Sequence, residues 1–269
     1  VSELLQSGVP AQVVTATRTV GRTFRLGARA TAITVFDIAS GRFPWREALV
    51  QAWFFVTVTA VPAVLLSVPF GVVIAVQIGS LTKSVGANSM AGAIGGIGVM
   101  QQGAPLAAAL LVGGAGASAV AADLGSRTVR EEIDAMRTMG IDPQQRLVAP
   151  RLLAVMIVAP MLAVLIVMMS IVASYLVAIV GQNVASGSYW LSFGTFASVS
   201  DLVICIVKAI IFGYIVVVVA AQRGLEARGG PRGVADGVNA AVVIGVVSCV
   251  VVNVAITQLV AMFIPPRLF

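Results

Sequence analysis

A chain of 269 residues with no histidine lacks the commonest biological acid–base group and metal ligand. Its two cysteines, Cys205 and Cys249, lie inside long apolar runs and read as packing residues, with no disulfide or metal framework. No Ser/His/Asp or Cys/His set, metal cluster or spaced carboxylate pair is present. The glycine-rich text around Gly92, Gly95, Gly96 and Gly98 invites comparison with a phosphate loop. However, no Gly-Lys-Ser/Thr follows it, and no alternating strands and helices surround it. The sequence thus assigns no catalytic residue and no metal site, and it gives no sign of nucleotide hydrolysis by this chain. Chemistry must come instead from two unusual placements of charge: the run Ser126–Pro143 between two apolar regions, and Lys208, alone well inside one.

The run and its borders hold Asp123, Glu131, Glu132, Asp134 and Asp142 of the chain's eleven acidic residues. Thr128 and Glu131 have capping-box spacing, Gly140 suits a helix C-terminus and Pro143 a stop, so the spacing predicts a helix over Thr128–Gly140. Val129, Ile133, Met136 and Gly140 would share one face. Arg127–Glu131 and Arg130–Asp134 would pair at i,i+4, and Asp134–Arg137 at i,i+3. Two readings fit. One is a solvated loop helix kept out of lipid by its charges. The other is a docking helix that passes force from a soluble partner, with Arg130, Glu131, Glu132, Asp134 and Arg137 as polar contacts and Met136 and Met139 as apolar ones.

Lys208 falls about 10 Å from one end of its span at helical rise. An ammonium in lipid is costly, so it must face protein, face a water-filled cavity, or snorkel outward. Asp201, Asn253 and Gln258 are candidate partners. Lys208 and Asn253 are accordingly the intramembrane polar residues open to a structural role or to a place on a substrate path.

The elements that must position these groups follow from composition. The chain is 59% hydrophobic and 10% charged, with mean hydropathy +1.02. This predicts an all-α polytopic membrane protein. The net charge of +6 could suggest nucleic acid, but the basic residues sit in loops between apolar runs, as in membrane proteins, and we assign no nucleic-acid partner. Residues 1–46 form a first unit without a span. Arg18, Arg22, Arg25 and Arg29 recur on one helical face with Val13, Val20 and Phe24 roughly opposite, which reads as an amphipathic helix on the membrane surface. A disordered basic tail is the alternative. Trp45, beside Phe43 and Pro44, suits the interface. Residues 47–269 hold five expected spans, over about 58–80, 103–122, 158–180, 201–221 and 237–263. An in-plane lead-in would precede the first, an outer segment Leu81–Gln102 would follow it, and Gln182–Ser200 would form a polar outer loop with Tyr189, Trp190, Phe193 and Phe196 as interfacial aromatics. Five spans put the termini on opposite sides. With the N-terminus cytoplasmic and the C-terminus extracytoplasmic, all seventeen Lys and Arg except Lys83, Arg267 and Lys208 lie inside.

The segments Glu131-Glu132-Ile-Asp134-Ala-Met136, Met139-Gly-Ile-Asp142-Pro143 and Leu147-Val-Ala-Pro150-Arg151 resemble the signature of the MlaE/YrbE permeases, the membrane subunits of ABC-type lipid transporters that work with MCE-domain proteins. The resemblance runs from about Phe43 to Gln258 and is nearest to the YrbE subunits of actinobacterial Mce systems. The run Lys208–Gly213 looks like a recurrent feature of those chains. Where one paralogous class carries glutamate after the asparagine that opens the fifth span, this chain has Asn239 followed by Ala240, as expected of the second, B-type member. The resemblance implies a cell-membrane permease that is not itself an enzyme. It implies a second YrbE-like permease, in a heterodimer, and a separate ABC ATPase that carries ATP and Mg and docks on residues 128–140. It further implies MCE-domain proteins outside the membrane and a hydrophobic substrate such as a fatty acid, mycolic acid or sterol, taken inward. An ion-coupled secondary transporter or channel subunit would instead place acidic residues inside spans or carry related halves, whereas a structural membrane subunit would need no transport path.

Overall fold

The computed structural model describes residues 2–84, 86 and 90–263, with the backbone alone described for 2–18 and 91. Among them every element is helical, and five helices are long and apolar enough to cross a membrane.

The first of these, α2 (Trp45–Ser84), is one unbroken helix of 40 residues, which corrects the expected lead-in and later span. At helical rise it is about 60 Å long. Pro62 and Pro69 lie within it without ending it. Its buried residues explain its course. Thr59, Ala63, Ser67, Gly71, Ala75 and Gly79 recur every fourth position and form a stripe of small side chains. Such stripes let helices meet closely where lipid supplies no hydrophobic drive. This one packs along α7 (Ala149–Gln182). Ser170 Oγ donates to Ser67 O at 3.0 Å, and Gln182 Nε2 donates to Ala75 O at 2.7 Å.

The second span is α3 (Ala91–Gly98), α4 (Ala104–Leu111) and α5 (Ala117–Val129), joined end to end by π turns at Val99–Gly103 and Val112–Gly116. The continuous apolar helix Gly92–Val129 replaces the outer segment expected up to Gln102. Glycine is a poor helix former, but here it permits packing. A Cβ on Gly92 would stand 2.8 Å from Ser192 Oγ, and one on Gly96 would run into the Phe193 ring. Both partners belong to α8 (Ser186–Phe196), a helix where a polar loop was expected. Tyr189, expected at the interface, is fully buried and donates to Ser174 Oγ at 3.3 Å. Its ring sits 5.3 Å from Tyr175 and 5.8 Å from Trp190.

The third span extends α7 backward through a π turn at Gln144–Val148. The fourth is α9 (Val199–Leu225), opened by a Ser198/Asp201 capping box, and the fifth is α10 (Pro231–Phe263). The main core lies where α4, α5, α7 and α9 meet. α1 (Ser2–Ala39) lies against α7 and α9. Leu26, Ala30, Thr34 and Asp37 are its buried face, whereas Val20, Phe24 and Phe36 point away from the chain. A Cβ on Gly27 would come 2.7 Å from the Tyr214 hydroxyl, so glycine sets this approach.

Candidate functional site: a charged end and an intramembrane polar network

Most charges gather at one end of the bundle, and the fold divides the expected Thr128–Gly140 helix there. Helix α5 runs on through Val129, and Thr128 Oγ1 donates to Leu124 O and Gly224 O, so no capping box forms. Glu131 adopts left-handed φ +62 and opens a separate seven-residue helix, α6 (Glu132–Thr138). The sharp turn goes with packing, since it lets Ile133 be buried where the span ends. The C-terminus of α6 behaves as its sequence indicates. Gly140 has φ +77, its amide donates to Arg137 O, and Ile141 N donates to Met136 O, which together make a Schellman motif.

The new backbone course exchanges the expected ion pairs. Arg127 pairs with Asp123 at 3.2 Å instead of Glu131, and Arg130 with Glu132 at 3.0 Å instead of Asp134. The Asp134–Arg137 pair forms as expected, at 3.0 Å. Asp123 also accepts from Arg151, a buried guanidinium on α7. Glu131, Asp134, Arg137 and Met139 are exposed, whereas Glu132 and Met136 are half-buried. α1 is tied to this end by Arg29–Asp142 at 2.8 Å and Arg22–Glu226 at 3.0 Å. Gln145 Nε2 adds donations to both Asp37 oxygens at 2.9 Å. Two of the four arginines expected to face headgroups thus have carboxylate partners on their own chain. Arg25 is exposed, and the side chain of Arg18, like that of Val13, lies outside the described residues. Trp45 is exposed and packs edge-on against Phe43 at 5.1 Å.

Toward the opposite end, Lys208 is 2% exposed. Its ammonium donates to Gln101 O at 3.0 Å and Thr257 Oγ1 at 2.9 Å. The expected partners sit one step away. Asp201 accepts from Gln101 Nε2 at 3.0 Å, and Asn253 donates to Gln102 Oε1 at 3.0 Å. Gln102 closes the circuit by donating to Thr257 Oγ1 at 3.2 Å, while Gln258 is exposed. Gln101 and Gln102 escaped the sequence reading because their stretch was assigned to an outer segment. The signal was two adjacent amides at the edge of a long apolar run. Both lie in the π turn Val99–Gly103, so this network ties an irregular turn of the second span to α9 and α10. No group of side chains suited to a metal ion occurs among the described residues.

Comparison with known proteins decides the family. Residues 48–259 match the model of permease MlaE, a range that runs from within the first span to within the fifth. The chain belongs to the MlaE permease family. Among relatives of this MlaE-family chain, a "probable ABC transporter permease protein" of Rickettsia typhi is 31% identical over 155 residues, 58% of this chain and 60% of that protein. A like-named protein of Rickettsia bellii is 26% identical over 244 residues, 88% of this chain and 94% of its own length. The chloroplastic protein trigalactosyldiacylglycerol 1 of Arabidopsis thaliana is 25% identical over 224 residues, 83% of this chain and 64% of that one.

Proposed function

We propose that this MlaE-family chain is the permease half of an ATP-driven lipid transporter of the Mce type, coupled to a separate ATPase through α6. The observation that carries this reading is the build of α6. It is anchored by buried Ile133 directly beneath a membrane-spanning helix, yet it turns Glu131, Asp134, Arg137 and Met139 outward. A helix that only needed to stay in water would not need a rigid left-handed joint to the span or an exposed methionine amid its charges. A partner pressing on α6 would move α5 as a body. ATP and Mg would be held by that partner. The charged end would face the cytoplasm, as the distribution of Lys and Arg favours, leaving the C-terminus extracytoplasmic.

In the same proposal, a second permease chain completes the path, and the Asn239-Ala240 pair marks this one as the B-type member of a heterodimer. MCE-domain proteins receive or deliver the lipid at the opposite end, and the substrates are fatty acids, mycolic acids or sterols, moved inward. The abundance of Val, Ile, Leu and Met on the spans suits an apolar ligand. The glycerolipid word in the name of the Arabidopsis relative points to lipid in the same way. The test is mass spectrometry of the detergent-solubilised complex recovered through this chain, wild type against the double variant Glu131→Lys with Met139→Asp. Neither residue makes a described ion pair, so the bundle should survive. We expect an ATPase, a second permease and MCE-domain chains with the wild type, and loss of the ATPase alone from the variant. Full ATPase recovery with the variant would refute docking on α6.

A further inference from the structure

We propose that the cleft at the charged end between α2, α5 and α7 binds the headgroup of an anionic lipid, a phosphate or carboxylate carried on an acyl chain. This assignment depends on neither the ATPase nor transport. The cleft has a volume of about 220 Å³ and is walled by Val50, Gln51 and Phe54 of α2, Ala119 and Arg127 of α5, and Arg151 of α7. Arg151 is 4% exposed. One of its terminal nitrogens donates to Asp123, while the other, Nη1, is buried with no hydrogen-bond partner among the described residues. A guanidinium offers five donors in a planar fork, and a buried donor without an acceptor is costly. An anionic oxygen pair is the natural complement of such a fork.

The charge balance agrees. Asp123 also lines the cleft, but it is shared between Arg127 and Arg151. Glu132 lies 3.5 Å from Arg127 and closer, at 3.0 Å, to Arg130 outside the cleft. Among the lining residues two guanidiniums face one carboxylate, while Glu47, near enough to act on Arg151, and Glu132 bear on them from outside the lining.

The apolar side of the cleft selects a lipid over a free anion. Phe54 is exposed, and from it Val58, Val61 and Leu65 continue along the same face of α2, all exposed. At i, i+4, i+7 and i+11 they form a straight apolar track of about 16 Å leading from the headgroup position toward mid-span. A headgroup held at Arg151 would lay its acyl chain on this track. The buried arginine thus sits at the level of the span ends, where anionic headgroups lie.

The test is native mass spectrometry of the full chain, delipidated in detergent and titrated with phosphatidylglycerol or with diacylglycerol of matched acyl chains, which lacks the phosphate. Wild type should retain phosphatidylglycerol about tenfold more strongly than diacylglycerol, a ratio in keeping with one charge-assisted bidentate contact. Arg151→Gln should abolish the preference, but it also strips Asp123 of a partner and endangers the fold. Ala119→Phe therefore serves as the second variant, since it fills the cleft and leaves the Arg151–Asp123 pair intact. It should lose the preference while melting as the wild type does. Equal retention of the two lipids by wild type, or an unchanged preference in a folded Ala119→Phe variant, would overturn the site. Displacement of phosphatidylglycerol by millimolar inorganic phosphate would overturn the lipid assignment in favour of a free anion.

Discussion

Gly71 is the position where the packing of α2 on α7 can be tested most sharply. A Cβ added there would stand 3.0 Å from Ala173 Cβ and closer still to Ser170 O. Ordinary carbon–carbon contact is about 3.5–4.0 Å, so Gly71→Ala must drive the two helices apart by roughly 1 Å. The obstacle is backbone and a methyl group, neither of which can swing aside. The Ser170–Ser67 hydrogen bond, now 3.0 Å, would be broken by that movement. Overpacking costs about 1–3 kcal/mol and the lost bond about 1 kcal/mol. Against this, alanine gains about 0.5–1 kcal/mol over glycine in a helix. The expected net loss is about 2 kcal/mol, measured by reversible unfolding in mixed micelles. Gly194→Ala is the control, because a Cβ there meets nothing within 4 Å inside α8. It should show only the helical gain of about 0.5–1 kcal/mol. A Gly71→Ala variant as stable as the wild type, or indistinguishable from Gly194→Ala, would refute the close approach of α2 to α7.

Two further outcomes follow from the site itself. Glu131→Gly should leave stability within about 1 kcal/mol of wild type, because glycine enters left-handed backbone freely. Glu131→Val should lose about 1–2 kcal/mol, since a β-branched residue resists that conformation; equal effects on thermal unfolding would contradict the positive φ. Lys208→Met removes the donor held by Gln101 O and Thr257 Oγ1. It should raise amide hydrogen exchange in Val99–Gly103 about tenfold, the equivalent of one net hydrogen bond, and unchanged exchange would show that Lys208 does not restrain that turn.

The five spans were legible because apolar runs bounded by charges leave few alternatives in lipid. Their true lengths were not, because hydropathy averages over a window and α2 and α7 continue as helices past the point where the average falls. The region Leu81–Gln102 misled for a definite reason. Glycine and serine report low intrinsic propensity, but Gly92 and Gly96 are there so that α8 can pack against the helix. The four-residue repeat Thr59, Ala63, Ser67, Gly71, Ala75, Gly79 was fully visible in the sequence. In the charged run Ser126–Pro143, the Asp134–Arg137 pair and the Gly140 terminus depended on local chemistry and were readable. The break at Glu131 depends on where Ile133 finds the core, which no local pattern encodes. Lys208 drew attention by its cost in lipid, whereas its partners Gln101 and Gln102 depend on a π turn with no established sequence signature.

Those π turns carry a further meaning for how such a chain can change over time. A π turn accommodates one residue more than the α-helical turn it replaces, and that residue rotates everything beyond it by about 100°. With two such turns between Gly98 and Ala117, the face that α3 gives to α8 is not continuous with the face that α5 gives to α9 and α10. Deleting one residue from Val112–Gly116 would return that turn to ordinary helix. The length of the span would hardly alter, yet Asp123, Arg127 and all of α6 would swing away from Arg151 and Gly224. In this second span, single-residue insertions and deletions are therefore rewiring events. Among related permeases, gaps of one residue at these two turns should be found with compensating changes on the facing helices, while longer gaps gather in the connections between spans.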